Sequence, residues 1–191
     1  HVFDWILAVL IGILLVPVFV VVAALIRLGS PGPALFRQTR IGYRGEPFTV
    51  YKFRTMRHDV SKDDARSAAI TKSADNRITP LGRFLRKSRL DELPQILNII
   101  RGEMSWIGPR PEADVLSNWY RQEIPYYAYR HIVRPGITGW AQVCQGHVAS
   151  VDEVKEKLHY DFYYIKNFSL WLDILIIART VQTMITGFGS K

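Results

Sequence analysis

Residues 5–26, from Trp5 to Ile26, read WILAVLIGILLVPVFVVVAALI, and this stretch decides what kind of protein the chain is. It contains no charged residue. At roughly 1.5 Å per residue, a helix of that length reaches about 33 Å, close to the thickness of a hydrocarbon core. The run therefore reads as a membrane element rather than a buried helix of a soluble core. A signal peptide is disfavoured, because no basic region precedes the run and Arg27-Leu28-Gly29-Ser30 does not resemble a small-residue cleavage site. Pro17 stands in the middle with no N–H to offer Ile13 and a ring that crowds its carbonyl, so a kink or break is predicted there. Two arrangements follow. A kinked helix can span, with Arg27, Arg37, Arg40 and Arg44 keeping the following chain in the cytoplasm. Alternatively, the chain dips into one leaflet and returns, and the protein itself satisfies the backbone at Pro17.

Outward from this run the chain is polar and basic. Its 191 residues carry 25 Lys plus Arg against 17 Asp plus Glu, a formal charge of +8. That length supports a domain with its own core, which excludes a miniprotein or a disordered tail. Beside an anionic membrane surface each nearby Lys or Arg is worth about 1 kcal/mol of attraction. The single cysteine, Cys144, excludes an internal disulfide framework and a cysteine-rich zinc site, and points to a reducing compartment. No Gly-x-x-x-x-Gly-Lys loop, Gly-x-Gly-x-x-Gly turn or His-Glu-x-x-His helix is present, so phosphate-loop, dinucleotide-binding and zinc-hydrolase readings lose their usual support.

Ser30-Pro31-Gly32-Pro33 ends any helix, and Ala34 to Arg40 and Pro47 to Phe53 read as strands of a small hairpin turning around Gly42 and Gly45. His58 to Arg77 reads as a solvated helix or loop. Thr79-Pro80 is a helix start, with Thr79 as N-cap and Pro80 in the first turn. Leu81, Phe84 and Leu85 share one face of that helix, while Arg83, Arg86 and Lys87 point elsewhere. In Leu90-Asp91-Glu92-Leu93-Pro94-Gln95, Pro94 is predicted to push Leu93 out of the helical region and restart a helix through Ile96 to Ile100. Adjacent carboxylates thus stand at a helix start with Arg86 and Arg89 within a turn. Two acids among cations suit phosphoryl chemistry: one can attack phosphorus or hold Mg²⁺ while arginines neutralise phosphate oxygens.

Farther on, Pro109 and Pro111 hold Arg110 in an extended setting suited to a diphosphate. Arg134 to Val143 reads as a turn followed by a short strand, and Ser150 with Glu153 as a capping box opening a helix toward Lys166. Phe168 to Ile185 reads as either core or a helix in the membrane interface, with Trp171 at headgroup depth.

Taken together, four segments resemble the bacterial sugar transferase family, the monotopic polyprenyl-phosphate phosphoglycosyl transferases. They are Lys52-Phe53-Arg54-Thr55-Met56, Leu90 to Gln95, Met104-Ser105-Trp106-Ile107-Gly108-Pro109-Arg110-Pro111, and Arg134-Pro135-Gly136-Ile137-Thr138-Gly139-Trp140-Ala141-Gln142. The resemblance covers nearly the whole chain, in order. It implies transfer of a sugar 1-phosphate from a UDP-sugar to undecaprenyl phosphate, with release of UMP, at the cytoplasmic face of the bacterial inner membrane. That reaction is the first membrane step of a surface polysaccharide such as exopolysaccharide, O-antigen or capsule. The implied cofactor is Mg²⁺, with Asp91 as a metal ligand. The catalytic pair falls on Asp91, as a nucleophile forming an aspartyl phosphosugar, and on Glu92, as helper in the polyprenyl phosphate step. Substrate contacts fall on Arg86 and Arg110, with Pro109, Pro111, Lys52 and Arg54 completing their motifs. The implied fold is α/β (α+β): a membrane-inserted, re-entrant helix-break-helix over residues 1–29 with Pro17 at the break, then a cytoplasmic catalytic domain over 30–191 with a small hairpin or sheet and several interfacial amphipathic helices.

Self-association and the identity of the sugar are left open, and no nucleic acid is expected as a partner. The chain departs from the family at Cys144-Gln145-Gly146-His147, where members often carry Asn-Gly-Arg, and at Val16 before Pro17, where some carry Ser. Larger members have additional N-terminal membrane helices and a soluble domain, so a chain starting at His1 is expected to be the catalytic end of a longer one. The rival readings are a membrane phosphatase or pyrophosphatase working through an aspartyl phosphate, and a non-catalytic membrane-surface adaptor.

Overall fold

A computed structural model describes residues 2–57, 77–146 and 150–186. The predicted solvated segment from His58 lies outside the described residues up to 76, as does His147 of the divergent tetrapeptide. The elements are mixed helix and strand, as expected. The chain divides into two compact units: residues 1–38 with 49–102, and residues 39–48 with 103–191.

In the first unit, helix α1 runs from Val2 to Gly29 with Pro17 inside it. The helix assignment runs without interruption through Pro17. Its apolar window is only 11% buried, which removes the alternative of a soluble core helix. The less exposed positions form a stripe at Ala8, Ile11, Leu15, Phe19, Val22 and Ile26, spaced three or four apart as one helical face requires. Leu10, Ile13, Leu14, Val20 and Val21 remain exposed. From Gly12 to Ile26, about 20 Å of the helix axis, this face packs against the rest of the unit. Gly12 lies beside Ile96 and Ile100, and the Phe19 ring meets Phe53 at 5.7 Å between centroids. Val22 and Ile26 join Ala34, Phe53 and Leu85 in a common core.

Strands β1 (Leu35–Ile41) and β2 (Pro47–Phe53) form the predicted hairpin, closed by the Gly42 N–H donating to Glu46 O at 2.9 Å. Helix α2 (Pro80–Lys87) starts where Thr79-Pro80 predicts, and the Thr79 side chain accepts from the Gly82 N–H at 2.9 Å. A 3-10 helix then covers Leu90–Gln95 and runs directly into α3 (Ile96–Ile100). Pro94 is accommodated inside the 3-10 turn, so the chain is not interrupted at Leu93 as expected. The change of direction comes earlier, at Arg89, whose φ of 58° puts it in the left-handed region.

In the second unit, β3 (Ser105–Ile107) and β4 (Gly136–Thr138) pair in parallel, Ser105 opposite Gly136 and Ile107 opposite Thr138. The crossover a parallel pair needs is supplied by α4 (Asp114–Glu123) and a 3-10 helix at Tyr127–Ile132. The strand predicted near Val143 is instead helix α5 (Trp140–Cys144). The extended residues lie earlier, at Gly136–Thr138, because a Cβ on Gly136 would stand 2.1 Å from the Gly108 backbone nitrogen and glycine alone lets the strands approach. Helix α6 (Val151–Lys166) opens with the predicted capping box. Helix α7 (Leu170–Thr186) buries one face and exposes apolar residues on the other. Leu172 and Ile176 are core residues with Val143 and Tyr164, while Trp171, Ile174, Ile177 and Val181 are exposed.

Candidate active site

The Lys52 to Met56 segment, leaving β2, sends each side chain to a separate task. Phe53 enters the core under α1. Lys52 Nζ donates to Glu92 Oε1 at 2.6 Å. Arg54 is buried and donates to Ser30 O at 2.7 Å, Ser30 Oγ at 2.9 Å and Pro31 O at 2.8 Å. It thus ties down the turn between α1 and β1. Thr55 is the residue on which α2 is built. Its carbonyl accepts from the Thr79 N–H at 3.0 Å, and its hydroxyl accepts from Arg86 Nε at 2.9 Å. A Cβ on Gly82 would come within 2.0 Å of Thr55 O, so α2 can lie this close only with glycine there.

These contacts bring the sequence-predicted Lys52, Arg54, Arg86, Asp91 and Glu92 into one unit. Asp91 and Glu92 stand in the first turn of the 3-10 helix, immediately after the left-handed Arg89. Glu92 is buried on Lys52, while Asp91 is only half-buried. Below them, Asn98 fastens α3 to the hairpin: its amide donates to Thr49 O at 2.6 Å and its Oδ1 accepts from the Tyr51 N–H at 3.3 Å.

The remaining predicted residues, Pro109, Arg110 and Pro111, belong to the second unit. The Gly136 N–H donates to Pro109 O at 3.1 Å, Arg130 Nη2 donates to Arg110 O at 2.8 Å, and Arg40 Nη1 donates to Pro111 O. Arg130 is buried, with Nε 3.0 Å and Nη2 2.8 Å from Asp161 Oδ2, and Nη1 3.0 Å from the Tyr127 hydroxyl. Burial works against charge on Arg130, but Asp161, Tyr127 and Glu112 outweigh it and hold the guanidinium protonated. Burial likewise pushes the Glu112 carboxyl up, but Lys157, Arg130 and Arg40 together bring it down to about 2. His131 is lowered to about 4 by burial and by Arg130 and Arg121, so it is neutral at pH 7. A small cleft beside the Pro109–Pro111 segment is lined by Ile41, Arg110, Arg130, His131 and Pro135.

Sequence reasoning did not single out Thr55, Arg130, Glu112, Lys157 or Asp161 as parts of this machinery. A signal for the last two exists in α6. Its buried stripe of Val154, Lys157, Leu158, Asp161 and Tyr164 has helical spacing but includes two charged residues, and charges on a core face require buried partners.

Mg²⁺ commonly binds through one or two carboxylates, with substrate phosphates and water supplying the other oxygens. Among the described residues no group of three or more metal-binding side chains occurs. A half-buried Asp91 beside Glu92 matches that sparse, hard-oxygen donor set.

The sequence profile of bacterial sugar transferases matches residues 1–187. The chain is 49% identical over 187 residues to the UDP-N-acetylgalactosamine-undecaprenyl-phosphate N-acetylgalactosaminephosphotransferase of Aeromonas hydrophila, covering 97% of this chain and 44% of that one. It is 43% identical over 188 residues to a UDP-glucose:undecaprenyl-phosphate glucose-1-phosphate transferase of Caulobacter vibrioides, covering 97% and 69%. An exopolysaccharide production protein of Rhizobium leguminosarum is 41% identical over 179 residues, covering 91% and 88%. The chain thus spans less than half the length of the Aeromonas relative.

Proposed function

Because the chain belongs to the bacterial sugar transferase family, we propose that it moves a sugar 1-phosphate from a UDP-sugar to undecaprenyl phosphate and releases UMP. The observation that carries this reading is the Asp91–Glu92 pair, with Glu92 buried on Lys52 at 2.6 Å and its neighbour half-exposed. In the first step an Asp91 carboxylate oxygen attacks the phosphorus that bears the sugar. The bond from that phosphorus to the bridging oxygen breaks, and UMP departs with the electron pair. In the second step an oxygen of undecaprenyl phosphate attacks the same phosphorus, frees the Asp91 carboxylate and forms the diphosphate-linked lipid sugar. Glu92 assists the incoming lipid phosphate.

The difficulty is electrostatic, since a carboxylate must approach an anionic diphosphate. Arg86, oriented through Thr55, and Arg110, on a pinned backbone, are assigned to its oxygens. When Mg²⁺ is bound, Asp91 would supply it with one oxygen, and the ion would offset phosphate charge.

Membrane placement follows from α1. If α1 stood across a bilayer, its contacts from Gly12 to Ile26 would draw Lys52, Glu92 and Arg86 toward hydrocarbon, where charge is costly. A helix lying in one leaflet keeps its exposed apolar residues in lipid and Asp91 at headgroup height, on the cytoplasmic face of the inner membrane. The acceptor phosphate lies at that height, so the search for it is confined to the membrane plane.

The test uses the full-length protein in nanodiscs with Mg²⁺ and a panel of UDP-sugars, without lipid acceptor. The expected result is about one UMP per enzyme and a sugar-phosphate mass adduct, both lost in Asp91→Asn, whose turnover falls about a thousand-fold or more. UMP release that requires undecaprenyl phosphate and leaves no adduct would replace the covalent route with direct transfer. Inorganic phosphate in place of UMP would make the enzyme a phosphatase.

A further inference from the structure

The carbonyls of Pro109, Arg110 and Pro111 each accept from a different part of the second unit: the Gly136 backbone, the Arg130 side chain and the Arg40 side chain. The next carbonyl, Glu112 O, accepts from the Ile41 N–H at 3.1 Å. Both prolines have fixed φ and no N–H. The backbone that carries Arg110 is therefore held at every carbonyl, far more tightly than a surface loop requires.

Of these donors, Arg130 is the one whose own placement is most elaborately supported. Its side chain is 2% exposed and meets Asp161, Tyr127 and Glu112, the last at 3.9 Å. Buried ion clusters of this kind are often replaceable by apolar residues without loss of stability, so stability alone is a weak reason for one. The Arg110 carbonyl, by contrast, needs a donor, and the guanidinium reaches it while its remaining N–H groups stay on Asp161 and Tyr127. A lysine has one compact ammonium and cannot reproduce that fork.

We propose that Arg130, held by Asp161 and Tyr127, is a positioning residue that fixes the backbone from which Arg110 reaches the phosphates of the sugar donor. The inference rests on the phosphate role proposed for Arg110. It acts through geometry, where a displacement of about 1 Å can cost about a hundred-fold in rate.

The experiment measures kcat and KM for UMP release by the full-length protein in nanodiscs with undecaprenyl phosphate, using UDP-N-acetylgalactosamine and UDP-glucose as donor probes, together with Tm. Arg130→Lys and the milder Tyr127→Phe are each made in the native and Arg110→Ala backgrounds. In the native background Arg130→Lys is expected to lower kcat about ten- to a hundred-fold, with a smaller change in KM. Tyr127→Phe is expected to act in the same direction by a smaller factor, and it carries the test alone if Arg130→Lys does not fold. In the Arg110→Ala background both losses should shrink below about two-fold, because no guanidinium remains to misplace. Losses of equal size in both backgrounds, or losses that merely follow Tm, would overturn the positioning role while leaving that of Arg110 intact. An Arg110→Ala enzyme with native kinetics would instead remove the phosphate role of Arg110, and the positioning role with it.

Discussion

Glu92 in the first unit and Glu112 in the second both have a lysine partner, and the chain treats them in different ways. Glu92 meets Lys52 at 2.6 Å, with side chains 10% and 17% exposed, next to the half-buried Asp91. Glu112 is caged: Lys157 pairs with it, Arg130 stands 3.9 Å away, and Arg40 adds to the field that brings it down to about 2. A carboxylate meant to work on an incoming phosphate has to remain within reach of solvent and substrate. Exposure does not separate the two, at 10% for Glu92 and 16% for Glu112; what marks the brace is the set of cations, Lys157, Arg130 and Arg40, that hold Glu112 ionised. With the role proposed for Glu92, the contrast separates a carboxylate kept for chemistry from one kept for architecture.

The largest effect should come from breaking the caged side. Arg130→Ala leaves Asp161 and Glu112 buried without their shared cation and should cost about 3–5 kcal/mol of stability. Lys52→Met leaves the buried Glu92 without that lysine and should cost less, about 1–3 kcal/mol. It should nevertheless lower turnover about ten-fold or more by releasing Glu92. Denaturant unfolding and UMP release measured on both variants decide the point. A Lys52→Met protein as unstable as Arg130→Ala would make the Lys52–Glu92 pair another brace and erase the distinction.

The same contrast marks what was legible in the sequence. Local signals were read directly: the caps at Thr79 and Ser150, the hairpin around Gly42 and Gly45, and the apolar run of α1 each depend on residues a few positions apart. The Asp91–Glu92 pair stood out because its motif is contiguous. The motif that points Lys52 and Arg54 toward substrate says nothing of the contacts Lys52 makes with Glu92 and Arg54 with the Ser30–Pro31 turn. Such partners lie 23 to 40 positions away, where no periodicity points. Pro17 and Pro94 show the other limit. Both favour a kink or interruption from local sterics; the helix assignment runs through Pro17, and a 3-10 turn accommodates Pro94 where the chain is expected to be interrupted at Leu93. Arg130 is invisible because, Tyr127 apart, the groups it meets stand far along the chain: Asp161 is 31 and Arg110 20 positions away, and Glu112 lies before α4.

Acidification should sharpen the contrast, because two groups of the second unit lose their stabilising state in successive windows. The unfolded chain protonates His131 near 6.5 while the folded chain does so near 4, since burial and the charges of Arg130 and Arg121 oppose the imidazolium. The contribution of His131 is complete above pH 6.5 and disappears as pH falls to about 4, on the order of 3 kcal/mol in all. Glu112 follows: its contribution is complete above pH 4.5 and is lost as pH falls through about 2. His131→Leu should flatten the first window and leave the second in place. Unfolding free energies at stepped pH would show this as a slope difference from the native protein between pH 6.5 and 4. Equal slopes there would mean that His131 is not held neutral by the fold.

The smallest effect compares the two helix caps. Thr79 accepts from the Gly82 N–H at 2.9 Å, and Ser150 accepts from the Glu153 N–H at 3.3 Å while the Glu153 carboxylate accepts from the Ser150 N–H at 2.9 Å. Replacing either with alanine should cost about 1 kcal/mol. Their consequences for activity should differ. Thr79 starts the helix that carries Arg86, and its N–H also donates to the carbonyl of Thr55, whose hydroxyl orients Arg86. Loosening that start shifts the guanidinium, so Thr79→Ala should lower turnover several-fold at a temperature where the protein is fully folded, and Thr79→Ser should restore it. Ser150 starts α6, whose buried charges act on the Arg110 segment through Arg130 and Glu112, and a frayed first turn leaves Lys157 and Asp161, one and two turns farther in, where they are. Ser150→Ala should therefore lower Tm without changing turnover below it. Equal activity in the two alanine variants would mean that Arg86 is held by Thr55 alone, whatever the state of the helix that delivers it.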